Sequence, residues 1–268
     1  MMAKITAETR QEFKIKTEPY KNAIDATLKK EKDMVALMAH DKSGLAYKKL
    51  LLCEDMIYIS TLYVAINTIS ETMLETKNQD ALNEARKVLY KAIIYLEDIV
   101  TNVIDCPYSD LEPKIAEISN TPLEKRYYLL RKIGMAIKMV IDGFGENSKW
   151  KWSFVELQGR YATVFKNMLN MKEVAKVYFD PRDSQYEIVL LFVRMIRKLL
   201  DQSAMGYRDR YELSTHRVDD MRMAINYLLA LRRIAIVLND KDAAEEIKKK
   251  AIAWNDKMDA DQKAGKAS

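Results

Sequence analysis

The residues of this chain best suited to chemistry begin with a tryptophan–lysine segment, SKWKWS at positions 148–153. Aromatic faces can stack on planar ligands and ammonium groups can neutralise phosphates or carboxylates, so the segment could bind an anionic partner. Basic and aromatic side chains continue along the helix predicted from here. The candidate partner-binding residues are Lys149, Trp150, Lys151, Trp152, Arg160, Tyr161 and Lys166.

The tryptophan–lysine segment also has a purely structural interpretation. In a helix, residues 150 and 152 point about 200° apart, so one tryptophan is expected in the core and the other at the surface. The lysines would then lay their alkyl chains along apolar surface and keep their charges in water. Because the segment matches no known nucleic-acid-binding signature, the structural interpretation is favoured over a nucleic-acid site.

The basic character of the chain is local. The formal net charge is +5, and the range 121–178 contains eleven lysines and arginines against five acidic residues. This range alone therefore carries a surplus of six, and the remaining residues sum to −1. The surplus keeps a nucleic acid or another acidic partner as an alternative, bound through 121–178.

Metal and nucleophile chemistry has few candidate residues. His40 and His216 are the two histidines of the sequence, and neither has an acidic residue three positions before it, which a helical di-metal site would need. Cys53 and Cys106 are too far apart in the sequence for a zinc motif. A histidine without a matched partner is weak support for catalysis. We predict no metal site and no catalytic residue.

A phosphate-binding loop is not indicated either. Gly143-Phe144-Gly145 is the nearest approach to one, but it follows a predicted helix, whereas phosphate-binding glycines open a helix. Glycine after a helix is typical of a C-terminal cap. We therefore predict no cofactor.

The elements that must position these residues are predicted to be helices throughout. Only seven glycines and five prolines occur in 268 residues, too few for the many tight turns of a sheet-containing fold. Apolar residues recur at helical 3–4 spacing, most regularly at Leu82, Ala85, Leu89, Ala92, Leu96, Ile99 and Val103. The predicted fold is all-α, without a sheet: an elongated bundle or a stack of long antiparallel hairpins, with about six to eight helices.

Sequence signals also mark where individual helices begin. Thr121 and Ser184 each precede a glutamate by three residues, the pattern of a capping box, and Asp242 is predicted to cap the last helix. One uninterrupted helix is predicted over about 148–178. A long apolar helix over about 45–76 is predicted to be the buried centre, with Ile66 fully buried.

The composition suggests where the chain divides. The predicted parts are an N-terminal helical region (1–106), a Pro-containing connection (107–120), a C-terminal helical region (121–258) and a frayed tail (259–268), although one continuous domain is also compatible with the pattern.

The longest uncharged run, Met56 to Ser70, has fifteen residues, shorter than the roughly 20 needed to cross a bilayer. The first residues lack the apolar core of a signal peptide. With no secretory signal, both cysteines are expected to be reduced thiols. We therefore expect no transmembrane segment and a cytoplasmic location.

Taken together, these patterns favour a non-catalytic helical scaffold or protein–protein interaction protein, with a protein partner or self-association. A binder of nucleic acid or of another acidic partner through 121–178 is the alternative. A cofactor-independent helical enzyme is the third interpretation, and it would require a polar pocket that the sequence does not reveal.

Overall fold

The structure is a computed structural model that describes residues 6–145 and 150–266. Within these residues, 83% of positions are helical and none lies in a β-strand, which confirms the predicted all-α class. The ten α-helices of the described residues are α1 (Ala7–His40), α2 (Leu45–Leu74), α3 (Gln79–Val100), α4 (Tyr108–Ala116), α5 (Leu123–Phe144), α6 (Lys151–Asn167), α7 (Met171–Val177), α8 (Tyr186–Arg210), α9 (Val218–Val237) and α10 (Lys241–Lys263).

Ten helices exceed the predicted six to eight partly because the range 148–178 holds two helices and not one. After α6, the Asn170 side chain accepts hydrogen bonds from the backbone N–H groups of Lys172 and Glu173, at 3.0 and 3.2 Å. An asparagine in this position is an N-cap and starts a new helix, α7. The apolar periodicity continues across the break, so periodicity alone did not reveal it.

Two predicted helix starts also differ from the structure. α8 starts after Gln185, which makes no side-chain cap hydrogen bond, and not at Ser184. α10 is capped by Asp240, whose side chain accepts from the Ala243 N–H at 3.3 Å, so it starts before Asp242. Which polar residue reaches the free N–H groups of a first turn depends on the local backbone, and a sequence pattern places it only to within a few residues.

The described helices belong to two compact units, each built from two stretches of chain. Unit 1 comprises Met1–Ile99 and Tyr128–Trp150, and unit 2 comprises Val100–Tyr127 and Lys151–Ser268. α10 continues to Lys263, past the position where the sequence places the start of a frayed tail. The domain boundaries inferred from composition remain a prediction.

α2 supplies much of the core of unit 1. Many of its apolar side chains are buried, among them Cys53, Met56 and Ile59, and Ile66 is 4% exposed. By length and composition α2 is also long and apolar enough to cross a membrane. However, 56% of its apolar 18-residue stretch is buried within the protein, and a buried core helix can be equally long and apolar.

Unit 1 also buries a carboxylate, that of Glu31 on α1. The Glu31 carboxylate lies 2.6 Å from Lys91 Nζ and accepts a hydrogen bond from the Tyr95 phenol, both on α3. Burial and the hydrogen bond to Glu31 raise the pKa of Tyr95 well above its usual range, so the phenol stays protonated and donates. The buried charge of Glu31 is therefore matched by a cation and a donor from the protein itself.

Unit 2 packs α8 against α6 and α9, and α9 against α10. Aromatic rings fill part of its interior: the Phe165 ring lies 5.0 Å from Phe192 and 5.7 Å from Tyr161, and Tyr127 lies 5.4 Å from Phe192. Such tilted and edge-to-face contacts add stability beyond the apolar area that they bury.

The approach of α6 to its neighbours in unit 2 depends on Gly159. The rings of Tyr207 and Tyr227 stack with centroids 5.6 Å apart. A Cβ on Gly159 would lie 2.7 Å from Tyr207 Cε2 and 2.8 Å from Tyr227 Oη, closer than real Cβ contacts come. A residue without a Cβ therefore allows these two rings to pack on the α6 backbone.

Candidate functional site

Five of the seven predicted partner-binding residues lie on α6 of unit 2, and two of these five, Tyr161 and Lys166, are buried. Lys149 lies outside the described residues. Trp150 belongs to unit 1, and the other five residues belong to α6 of unit 2. α6 starts at Lys151, so Trp150 precedes the helix. The helical angle expected between Trp150 and Trp152 therefore does not apply. Both tryptophans are half-buried, and the expectation of one inside and one outside is wrong.

Each tryptophan has a cation over its ring. Arg86 Cζ lies 4.2 Å from the Trp150 ring centroid in unit 1, and the Phe144 ring lies 6.3 Å away. In unit 2, Lys151 Nζ lies 5.0 Å from the Trp152 ring centroid. These intramolecular cation–π contacts give both rings a structural role.

The remaining predicted residues differ in exposure. Arg160 is partly exposed and lies 4.0 Å from Glu156, one turn earlier. Tyr161 is buried at 4% exposure, with its ring against Phe165. Lys166 is buried as well. Tyr161 and Lys166 are therefore not parts of an open surface, and the structure places Lys166 in a different kind of site.

Lys166 lies near the C-terminal end of α6, with 9% of the residue exposed. Its Nζ donates hydrogen bonds to the Ile104 carbonyl at 2.9 Å and to Asn167 Oδ1 at 3.1 Å. An ammonium group has three N–H donors, so these two acceptors leave one N–H without a hydrogen bond to the described residues.

Within residues 6–145 and 150–266, the charge of Lys166 has no counter-ion of its own. Among the described residues, no carboxylate lies within ion-pair distance of Lys166 Nζ, and the nearby Asp105 carboxylate pairs with Arg233. Burial, together with the positive charge of Arg233, lowers the pKa of Lys166 from 10.5 to about 8. Asp105 and Cys106 act in the opposite direction but do not offset the burial. At neutral pH, Lys166 is therefore a buried and largely protonated cation.

Lys166 lines a cavity of about 500 Å³ in unit 2, which we call the Lys166 cavity. Its walls are mostly apolar, and come from the connection before α4, from α4, from α6 and α7, and from α9. The apolar lining residues include Leu111, Leu169, Met171, Ala175, Ala230 and Ile234. A largely apolar cavity of this size with a few polar groups is the usual form of a small-molecule site.

Further polar groups line the Lys166 cavity. Lys172 Nζ lies 4.7 Å from the Tyr108 ring centroid and 3.0 Å from the Glu112 carboxylate. The Tyr108 phenol donates a hydrogen bond to Asn170, the residue that caps α7. The Cys106 thiol also lines the cavity and is partly exposed, whereas the Cys53 thiol of unit 1 is fully buried.

The backbone beside Lys166 is held in an unusual conformation. Thr101 has φ +103°, which is rare for a β-branched residue. The buried Asn167 side chain donates from Nδ2 to the carbonyls of Thr101 and Val103, at 3.1 and 3.2 Å, and accepts from Lys166 through Oδ1. Asn167 and Lys166 together fix the segment 101–104 against α6.

A second candidate site is a surface groove in unit 1 between α2 and α5, which we call the α2–α5 groove. Ile57, Tyr58, Thr61, Met135, Ala136 and Met139 line it, together with Glu54, Asp55 and Lys132. Lys132 Nζ lies 3.2 Å from Glu54 Oε1. Farther along, a Cβ on Gly143 would lie 3.8 Å from Asn67 Nδ2, so the two helices run in the same direction.

A polar region of unit 2 surrounds a π-helical turn, Tyr211–Thr215. The Tyr211 phenol donates to Asp261 Oδ2 at 2.9 Å, and burial together with this hydrogen bond raises the pKa of Tyr211 to about 12. The phenol is therefore protonated at neutral pH and cannot act as a base. The edge of the His216 ring packs near Tyr211, with centroids 6.2 Å apart.

The other sequence-based candidates have ordinary positions. His40 is an exposed residue at the last turn of α1, where a protonated histidine interacts favourably with the helix dipole. Among the described residues, no group of three or more His, Cys, Asp or Glu side chains could hold a metal ion. The prediction that the protein carries no metal stays a prediction.

The Lys166 cavity was not predictable as a site from the sequence. Its polar residues are far apart in the chain: Lys166 is 62 positions from Ile104, to which it donates, and Arg233 is on α9. By sequence, Lys166 is one cation among several in a basic segment. A lysine beside an asparagine at the end of an apolar helix was the single local hint, and it does not distinguish a buried from an exposed ammonium.

The sequence model of the TP0443 family matches residues 9–262, nearly the whole chain. No curated protein matches the chain, and no solved structure matches it.

Proposed function

This chain belongs to the TP0443 family, and we propose that it is a non-catalytic helical scaffold that assembles through protein–protein contacts made by the α2–α5 groove. The observation that carries the proposal is an exposed apolar face on two neighbouring helices of unit 1. Five large apolar side chains on α2 and α5 are each between 42% and 60% exposed: Leu51, Tyr58, Tyr128, Met135 and Met139.

These side chains share one face because of their spacing. Leu51 and Tyr58 are seven residues apart on α2, and Tyr128 and Met135 are seven residues apart on α5, which is two helical turns in each case. Scattered exposed apolar residues are normal, but a contiguous apolar groove is typical of an interaction site. Methionines suit such a site because their side chains adapt to a partner's shape.

The charges beside the groove favour a second copy of the same chain as the partner. α2 contributes the acidic residues Glu54 and Asp55, and α5 contributes the basic residue Lys132 at the same end of the groove. A twofold axis along the groove would place α2 of one copy against α5 of the other, and so bring Glu54 of one copy near Lys132 of the second. A self-complementary face of this kind is what a symmetric dimer requires.

The finer architecture is also a proposal. α1 packs against α2 across a four-residue connection, and α9 packs against α10 across three residues. Short connections between packed helices favour antiparallel hairpins, so we propose that each unit is built around one such hairpin, α1–α2 in unit 1 and α9–α10 in unit 2.

The alternative functions have less support. An anion-binding face over 121–178 would need Tyr161 and Lys166 at the surface, and both are buried. An enzyme that works by nucleophilic catalysis would need a nucleophile hydrogen-bonded to a base. The polar region around Tyr211 holds instead a protonated phenol bonded to a carboxylate.

The test of the proposed assembly is the mass of the protein in solution as a function of its concentration, by sedimentation equilibrium. Met135→Glu buries an unpaired charge in the proposed interface and should raise the dimer dissociation constant at least about tenfold. Ile15→Glu changes an equally exposed side chain on α1 and should leave the dissociation constant unchanged.

Charge reversal distinguishes a specific interface from nonspecific association. Glu54→Lys and Lys132→Glu should each weaken the dimer, because like charges then face each other across the twofold axis. The double variant restores opposite charges and should recover most of the affinity. A wild-type protein that remains monomeric at every accessible concentration would show that the groove does not mediate self-association.

A further inference from the structure

We propose that the Lys166 cavity of unit 2 binds a small amphiphilic anion, such as an organic carboxylate with an apolar chain. The Lys166 ammonium would be the counter-ion of the carboxylate, and the apolar walls would bury the chain. This site lies in a different unit from the α2–α5 groove, and its test does not depend on the proposed assembly.

Lys166 lacks a counter-ion among the described residues. A buried ammonium is costly unless an opposite charge or sufficient hydrogen bonds compensate it. Lys166 has two neutral acceptors, the Ile104 carbonyl and Asn167 Oδ1, and one N–H without an acceptor among the described residues. The nearby Asp105 is engaged by Arg233. A ligand carboxylate would supply both the missing charge and the missing acceptor.

The volume and the lining of the Lys166 cavity suit an amphiphilic anion. The cavity is about 500 Å³ in volume, within the range of small-molecule sites. Its walls are apolar except for six groups: Lys166, Asp105, Cys106, Tyr108, Lys172 and Arg233. Three of these six groups are cationic side chains and one is anionic, so an anion suits the cavity better than a cation does.

Hydrogen bonds also hold the Lys166 side chain in place. The Asn167 side chain is fully buried and makes three hydrogen bonds, one of them to Lys166 and two to carbonyls of the segment before α4. Thr101 in that segment keeps a strained positive φ. A cation fixed in advance loses little entropy when a ligand binds.

The full chain is tested with three probes that share a ten-carbon alkyl chain: decanoate, decyltrimethylammonium and decanol, each kept below its micellar concentration or solubility limit. Binding is measured by isothermal titration calorimetry at neutral pH. Decanoate should bind with one-to-one stoichiometry, and decyltrimethylammonium should bind at least about tenfold more weakly, because one charged hydrogen bond is worth that much. Equal affinity for the two charged probes would overturn the proposal.

The protein contains its own reporter of the site. Cys106 lines the cavity and is partly exposed, whereas Cys53 is fully buried and burial raises the pKa of its thiol far above the usual range. N-ethylmaleimide should therefore modify Cys106 first. Saturating decanoate should slow that modification, followed by mass spectrometry. An unchanged rate would mean that decanoate binds elsewhere, which would contradict the proposal.

Two variants locate the charge. Lys166→Met keeps an unbranched side chain of similar length without the ammonium, and should weaken decanoate at least about tenfold while decanol binds as before. Lys151→Met removes an exposed ammonium from the same helix and should change neither probe. A Lys166→Met protein that binds decanoate as tightly as wild type would refute the role of Lys166. If that variant does not fold, the wild-type comparison of the two charged probes still decides.

Discussion

Unit 1 and unit 2 each remove a charged side chain from water, and they compensate it differently. Glu31 in unit 1 and Lys166 in unit 2 are 5% and 9% exposed. Glu31 has a cation at 2.6 Å and a phenol donor, both from α3. Lys166 has two neutral acceptors and lines a cavity.

The comparison distinguishes a structural charge from a binding charge. A buried charge that the protein itself neutralises needs no further partner. A buried charge that has no counter-ion among the described residues and lines an apolar cavity can be compensated by a ligand. Burial alone therefore does not mark a site, whereas burial combined with an unmatched charge and a cavity does.

The largest expected effect tests whether the two interiors differ in packing. Ile66→Ala in unit 1 should lower the free energy of unfolding by roughly 2–5 kcal/mol, through lost transfer energy and a new cavity. Ile234→Ala in unit 2 removes an equally buried side chain that already borders a cavity. It should cost about 2 kcal/mol, at the lower end of that range. Urea unfolding measures both, and a larger loss for Ile234→Ala would contradict the difference.

The next effect is the pH dependence that Lys166 contributes. Its pKa of about 8 in the folded protein lies below the 10.5 of an exposed lysine, so the unfolded chain binds more protons between these values. Stability should therefore rise with pH in that window. The groups around Lys166 that also respond to pH or carry charge are Asp105, Cys106 and Arg233.

The measurement is the free energy of unfolding of wild type minus that of Lys166→Met, which cancels groups common to both proteins. From about pH 7 to about pH 10, this difference should shift by about 2 to 3 kcal/mol in favour of wild type. The corresponding difference against Lys151→Met should stay flat. If the free energies of unfolding of wild type and Lys166→Met change with pH in parallel, the pKa of Lys166 is not lowered in the folded protein.

A smaller effect is expected for the compensated charge of unit 1. Glu31→Gln keeps the side-chain shape but loses the charge that faces Lys91 and the strong acceptor of the Tyr95 phenol, and should cost about 1–3 kcal/mol. Glu12→Gln on the same helix breaks an exposed pair with Lys16. It should change stability by less than about 0.5 kcal/mol, and equal losses for the two variants would mean that the buried pair has no special role.

The smallest effect concerns two helical glycines of unit 2. Gly206→Ala should raise stability by up to about 1 kcal/mol, because the new Cβ would lie 3.6 Å from a Val155 methyl group, an ordinary contact. Gly159→Ala gains the same helix propensity but drives a Cβ into the Tyr207 and Tyr227 rings, and should lose about 1–3 kcal/mol overall. Thermal unfolding of the two variants in parallel checks that the signs are opposite.

Much of the fold was predictable from the sequence. The scarcity of glycine and proline and the 3–4 spacing of apolar residues predicted an all-α protein, and the uncharged run around Ile66 predicted a buried helix. Helix limits were less predictable. Asn170 caps α7, but the apolar periodicity continues across this break and does not mark it. The self-association of the chain, its location and its division into domains remain predictions.

The site was much less predictable. Lys151 and Lys166 both lie on α6, and by sequence alone they are equivalent cations of one basic segment. The structure leaves Lys151 exposed above Trp152 and buries Lys166 against Ile104.

The sequence by itself determined that the described chain is helical, because the local spacing of apolar and polar residues decides which segments can bury one side of a helix. Only the tertiary structure decided which charges lie in water and which have partners. The acceptors of Lys166 include a backbone carbonyl 62 residues earlier, and the partners of Glu31 lie on another helix. The cost of a buried charge depends on such distant neighbours, and no local pattern records where folding will bring them.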